Sequence, residues 1–249
     1  MIGTGGTIAS RATSNGLDPQ MTLDEILTYI PDIAKICEVD TIQICNIDST
    51  NISPEHWIML VNTIRENYDK YDGFVICHGT DTMAYTAAAL SYMIQNSAKP
   101  ILLTGAQKPI NKESSDSKIN LFDSFLYATF DGASGVQIVF NGKVILGTRA
   151  RKTRTKSFQS FSSINYPYLA VIQDGHIIQY INLAKAEAPV FYDTLNTKVG
   201  LFKLTPGAEA DVLSYMLERN DAVIIESYGV GGIPSMPQYH YLEVIQDWI

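Results

Sequence analysis

The chain is short of positive charge. It carries 18 Lys and Arg against 26 Asp and Glu, for a formal net charge of −8, and its isoelectric point is near 4.9. A surface built for nucleic acid needs clustered Lys and Arg to meet the phosphates, so this balance argues against nucleic acid as a partner. Cysteine is scarce too. Cys37, Cys45 and Cys77 are odd in number and match no metal-ligand spacing. Cys45 and Cys77 lie in apolar, strand-like runs, which predicts buried free thiols and fits a reducing, cytoplasmic setting. No apolar stretch reaches about 18 residues, so no membrane span is expected. The N-terminus lacks the basic region and long apolar run of a signal peptide. Charged residues are 18% of the chain, below the usual share of about 25%. Repeats and low-complexity segments are absent.

What is present is 46% apolar residues over 249 positions, enough for a substantial core, arranged as alternating strands and helices. Thr22 reads as the cap of a helix carrying Leu23, Ile26, Leu27 and Ile30, with Pro31 beyond its end. Thr41–Ile47 reads as a strand. Ser53 and Pro54 open a helix with apolar spacing at Trp57, Leu60, Val61, Ile64 and Tyr68. Gly73–Cys77 and Pro100–Leu103 read as buried strands, and Thr82–Ile94 and Ser117–Phe130 as helices. Val136–Phe140 and Val144–Gly147 flank Asn141-Gly142, a strong hairpin signal.

This order predicts an α/β fold of three layers, a mostly parallel sheet of the flavodoxin or Rossmann kind covered on both faces. Residues 1–183 read as the main domain and 184–198 as a connector. Residues 199–249 read as the start of a second, smaller α/β domain, with a strand over Val199–Leu204, a helix over Ala208–Glu218 and a strand over Ala222–Ser227. Only Met1–Ile2 precede the glycine-rich turn, and Tyr239–Ile249 reads as a helix with no strand after it. Both ends read as clipped.

Ligands of such sheets bind beyond the carboxyl ends of the strands. The residues just after each expected strand share one chemistry: Thr4-Gly5-Gly6-Thr7, Asp48-Ser49-Thr50-Asn51, His78-Gly79-Thr80-Asp81-Thr82 and Thr104-Gly105-Ala106-Gln107. The first has the glycines of a phosphate loop, but no Lys-Ser/Thr pair follows and the G-x-G-x-x-G spacing fails. In the third, Asp81 or Thr82 can simply cap the next helix. The functional reading uses the helix N-terminus as a donor of N–H groups to an oxyanion, Thr80 as nucleophile or water activator, and Asp81 as partner of a substrate ammonium. His78 reads as structural.

A threonine hydroxyl is a weak nucleophile until a base takes its proton. None of His56, His78, His176 and His240 has an evident Ser/His/Asp arrangement. A desolvated lysine is the alternative base. The run Gly147-Thr148-Arg149-Ala150-Arg151-Lys152-Thr153-Arg154 supplies candidates without choosing among them.

Thr4-Gly5-Gly6-Thr7-Ile8-Ala9-Ser10 and His78-Gly79-Thr80-Asp81-Thr82-Met83-Ala84 resemble the two signatures of the bacterial-type L-asparaginases. Asn46–Thr50, Ile101–Gly105, Phe140–Gly142, Ser163–Pro167 and Glu226–Gly232 resemble blocks of the intracellular, type I branch. The resemblance implies hydrolysis of L-asparagine to L-aspartate and ammonia, with Thr7, Thr80, Asp81 and Lys152 catalytic. It implies that Ser49 holds the substrate α-carboxylate, flanked by Asp48 and Thr50, while Thr80 and Asp81 also contact substrate. It implies no metal or organic cofactor, a homodimer or homotetramer, and a lid hairpin at about Ser10–Met21. Asn15-Gly16-Leu17-Asp18-Pro19 places Leu17 where many members carry an activating tyrosine. The related amidase subunit of a tRNA-dependent amidotransferase has an extra N-terminal module and needs RNA contact. A non-catalytic amino-acid-binding homologue is expected to lose one of the core hydroxyls or the lysine.

Overall fold

The computed structural model describes residues 1–14, 16–184 and 188–248. Asn15 of the expected lid, residues 185–187 of the expected connector and the terminal Ile249 lie outside the described residues. The chain forms two units, Met1–Asp193 and Thr194–Ile249.

The elements of the first unit are, in chain order, β1 (Ile2–Gly5), β2 (Ser10–Thr13), β3 (Gly16–Pro19), α1 (Leu23–Thr28), β4 (Ile42–Ile47), α2 (Pro54–Asn67), β5 (Phe74–Cys77), α3 (Met83–Met93), β6 (Ile94–Gln95), β7 (Pro100–Thr104), α4 (Ser117–Ala128), β8 (Gly135–Phe140), β9 (Lys143–Leu146), β10 (Ala150–Lys152), β11 (Phe161–Ser163), β12 (Ala170–Gln173), β13 (His176–Gln179) and β14 (Val190–Phe191). Eight strands form one sheet in the order β13-β12-β9-β8-β7-β5-β1-β4. The pairs β4/β1, β1/β5, β5/β7 and β7/β8 are parallel, and β8/β9, β9/β12 and β12/β13 are antiparallel.

Alternation of apolar residues sends the strands into two cores. Phe74 and Ile76 join Ile101, Leu103 and residues of α2 and α3 on one face. Val75 and Cys77 pack with Ile26 of α1 and Leu121 and Phe125 of α4 on the other. Helices thus cover both faces. Local chemistry starts the helices where the sequence indicates: Thr22 and Glu25 form a reciprocal capping box, and Ser53 caps α2 with Pro54 at its first position.

Four details differ from the sequence reading. The glycine-rich segment extends strand β1 through Gly5 and is not wholly a turn. A second hairpin, β12–β13, turns on Asp174-Gly175 at φ +51° and +75°, the same left-handed pair used by Asn141-Gly142 at +50° and +68°. The stretch expected as connector contributes β14, which pairs with β6. Phe191 anchors it, edge-on to Tyr68 at 5.5 Å between ring centroids. One aromatic anchor in a polar stretch leaves no period to read. Of the thiols, only Cys77 is fully buried. Cys37 and Cys45 are half-buried, and all three are free.

The second unit contains β15 (Val199–Lys203), α5 (Ala210–Arg219), β16 (Ala222–Glu226) and α6 (Tyr241–Trp248). Its two strands are parallel. Phe202, Leu204, Leu213, Leu217 and Tyr241 form its core. Tyr241 donates through its hydroxyl to Ala208 O at 2.7 Å, and Trp248 through Nε1 to Leu217 O at 3.1 Å.

On α4, Asp123 is 6% exposed and has no hydrogen-bond partner among the described residues. Burial pushes its carboxyl up from 3.8 to about 7. The folded state therefore holds this proton more tightly than the unfolded chain does. The resulting stabilisation is full below the unfolded value and is lost as pH rises through about 7. Asp123→Asn mimics the protonated form, so it should stabilise the protein by about 2 kcal/mol at pH 9 and change little at pH 4. Urea unfolding at both pH values checks this; equal effects at both would contradict it.

Candidate active site

The strand order reverses at β1: the chain crosses from β1 to β4 on one side, then to β5 on the other. A crevice forms where loops diverge at such a point, and here the loops after β1, β4 and β5 meet there. They meet backbone to backbone. A Cβ on Gly6 would lie 2.4 Å from Gly79 Cα, and one on Gly79 would lie 2.6 Å from both Cβ and Oγ of Ser49. Gly6 also has φ 81° and ψ −177°, a conformation that essentially only glycine adopts. The glycines of the two signatures are therefore required by close approach.

The strand-end hydroxyls divide by what they touch. Thr4 and Thr104 are buried. They donate to carbonyls of adjacent strands, Cys77 O at 3.0 Å and Val139 O at 2.8 Å. Thr82 donates to Ser49 O at 2.7 Å. Thr7 opens a short 3-10 helix after β1, is partly exposed, and its hydroxyl has no hydrogen-bond partner among the described residues. Thr80 is 5% exposed and accepts from Lys152 Nζ at 2.8 Å.

Lys152 ends β10, whose alternation turns Arg151 outward and Lys152 inward. The neighbours of Lys152 are engaged elsewhere: Arg149 lies over the Tyr166 ring, and Arg154 donates to Gln159 O. Lys152 Nζ also meets Asp81 Oδ1 at 2.6 Å, and the lysine side chain is 13% exposed against 57% for the aspartate. The ammonium sits inside the site and the carboxylate faces its mouth. Thr82 stands at the N-cap of α3, but its hydroxyl is spent on Ser49 O and no side chain caps the helix. Its first N–H groups therefore have no side-chain acceptor at the cap.

Ser49 is 3% exposed, and its Oγ accepts from Asp81 N at 3.3 Å. Asp48 and Thr50 are exposed and bonded to each other: Asp48 Oδ1 accepts from Thr50 N and Thr50 Oγ1, both at 2.8 Å. The structure thus links Ser49, Thr80, Asp81 and Lys152 directly. It sets Thr7 on the neighbouring loop and keeps the Asp48–Thr50 pair at the rim. The expected lid is the antiparallel hairpin β2–β3, with Leu17 opposite Ala12 and 52% exposed.

Sequence reasoning missed two supports. Gln107 hydrogen-bonds Ser160 through its side-chain amide, tying the loop after β7 to the segment that follows Lys152. Thr86 bonds His78 inside the core. Gln107 lies in one of the four strand-end loops, but nothing along the chain marks its partner Ser160, and Thr86 stands in no recognisable pattern. Burial lowers the His78 pKa to about 4, so its ring is neutral. A cavity of about 940 Å³ opens at the opposite, amino-terminal ends of the strands, beside Met1, Phe74, Lys99 and Pro100; none of the site residues lines it.

Among the described residues no cluster of His, Cys, Asp and Glu could hold a metal ion, and no helix is long and apolar enough to cross a membrane. Residues 1–185 match the family model "Asparaginase, N-terminal". An L-asparaginase of Thermococcus kodakarensis is 38% identical over 99% of this chain and 75% of its own length. L-asparaginase 1 of Escherichia coli is 35% identical over 93% of this chain and 70% of its own. A glutamyl-tRNA(Gln) amidotransferase subunit of Pyrococcus horikoshii is 33% identical, with 94% of this chain and 57% of that protein covered. The solved thermostable L-asparaginase from Thermococcus kodakarensis superposes with a TM-score of 0.88 over 99% of this chain and 75% of its own, at 37% identity. With a family model over most of its length and these relatives along nearly all of it, the chain belongs to the asparaginase family.

Proposed function

We propose that this chain hydrolyses L-asparagine to L-aspartate and ammonia by threonine nucleophile chemistry, in the cytoplasm and as a homodimer or homotetramer. The observation that carries the mechanism is the Lys152 ammonium between Thr80 Oγ1 and Asp81 Oδ1. Asparagine lies with its α-carboxylate toward Ser49 and its α-ammonium toward Asp81. The Thr7 hydroxyl, which is not engaged by the described residues, attacks the side-chain amide carbon. The oxyanion gathers N–H donors at the start of α3. The proton lost by the Thr7 hydroxyl passes to the amide nitrogen, which leaves as ammonia, and an acyl-threonine ester remains. Thr80, held by Lys152, then relays a proton from the attacking water to the Thr7 oxygen as the ester breaks, which frees aspartate and restores the Thr7 hydroxyl. No metal or organic cofactor enters this scheme.

Ammonia release from L-asparagine by the purified full-length protein tests the reading. Its absence, with ammonia released from glutamine only when tRNA and a partner subunit are supplied, would shift the assignment to an amidotransferase subunit. Asp81→Asn should raise KM about ten-fold or more, since it removes a charge-assisted contact to the substrate ammonium. Unchanged KM and kcat would remove Asp81 from substrate recognition.

A further inference from the structure

We infer that His78 is a positioning residue that locks the Gly79–Thr80 peptide, and that a buried hydrogen-bond chain beginning at Trp57 sets its tautomer. The inference rests on Thr80 belonging to the catalytic unit.

Gly79 has no side chain because Ser49 fills the space where one would stand, and a Cβ on Gly6 would press on Gly79 itself. That packing brings three loops together, but glycine is also the residue whose backbone rotates most freely. The peptide that follows it carries Thr80. Something must hold that peptide, and the structure supplies the ring of His78. Its Nδ1 lies 2.7 Å from the Gly79 carbonyl oxygen. A carbonyl only accepts, so Nδ1 carries the hydrogen. Nε2 of the neutral ring is then an acceptor. It lies 2.9 Å from Thr86 Oγ1, and that hydroxyl accepts in turn from Trp57 Nε1 at 3.0 Å. An indole N–H only donates. Every proton in the chain is therefore assigned: Trp57 to Thr86, Thr86 to His78, His78 to Gly79 O.

The two ends of the ring are fixed from different elements. Trp57 belongs to α2 and Thr86 to α3, while the His78 backbone N–H donates to Thr104 O at 2.8 Å. His78 and Thr86 are both fully buried, so water does not replace a lost partner. Burial also keeps the ring neutral, as the chain requires. Without Thr86, Nε2 loses its only donor among the described residues, the ring is held from the Gly79 O side alone, and the clamp on the Gly79 peptide loosens.

The test uses the full-length protein with 15N-labelled histidine. Wild type should show His78 neutral at pH 7, protonated at Nδ1 and bare at Nε2. Thr86→Val keeps the shape and removes the relay. It should shift the His78 nitrogen signals and lower kcat roughly ten-fold, with KM within about two-fold, because a small misplacement of a reacting group is costly. Thr86→Ser should restore both. If Thr86→Val does not fold, Trp57→Phe removes only the first donor and should move the Nε2 signal in the same direction. A His78 protonated at Nε2 in wild type, or wild-type kcat in folded Thr86→Val, would overturn the inference. A wild type that releases no ammonia from asparagine would instead sink the asparaginase reading, and the ring signals would still decide the hydrogen-bond chain.

Discussion

Thr80→Ala is expected to lower kcat for asparagine by about 10³-fold or more, or about 4 kcal/mol of transition-state stabilisation. The side chain is nearly buried, and its oxygen lies 2.8 Å from Lys152 Nζ. Removing it leaves no hydroxyl to relay the proton of the attacking water. Lys152→Met should lose a comparable factor, because it removes the other half of the same contact. The double variant should be little worse than either single one, since members of one proton-handling unit fail together. Thr7→Ala should also lose about 10³-fold, through the attacking oxygen. Full activity in Thr80→Ala would sink the assigned role. Additive losses in the Thr80/Lys152 pair would mean that the two act separately.

The second large effect concerns Gly6→Ala. The new methyl would stand 2.4 Å from Gly79 Cα, and the backbone at Gly6 holds φ 81°. The clash is with main chain, so no rotamer relieves it. Strain at such a dihedral costs about 1–3 kcal/mol, and overpacking adds about as much again. Relief requires the Thr7 and Thr80 loops to part, which separates the two halves of the site. The variant should therefore unfold at markedly lower urea and show a kcat depressed on the order of 10²-fold even where it stays folded. Wild-type stability together with wild-type kcat would mean that the loops do not meet as described.

Much of this fold is legible along the chain. The caps at Thr22 and Ser53, the Asn141-Gly142 hairpin and the run of buried strands each depend on a few adjacent residues, so local sequence suffices to mark them. The rule that ligands gather past strand ends narrows the site to four short loops. The Asp174-Gly175 hairpin carries the same kind of signal, but its flanking strands are short and half exposed, so their period is weak. The strand β14 depends on one aromatic anchor and has no readable pattern at all.

The residues themselves determined an α/β chain with hydroxyl-rich loops and glycines at fixed places, because strand period, helix caps and backbone freedom are short-range properties. Apart from the family resemblance, they did not determine which hydroxyls face the chemistry. Thr4, Thr7, Thr80 and Thr104 look alike along the chain. Only the sheet order shows that Thr4 and Thr104 are spent on neighbouring strands while Thr80 meets a lysine 72 positions away. Lys152, which the family resemblance alone picks out along the chain, is set apart physically from its basic neighbours by the pleat of β10, which turns it inward. Contacts between distant segments depend on register and packing, and these exist only once the strands have paired.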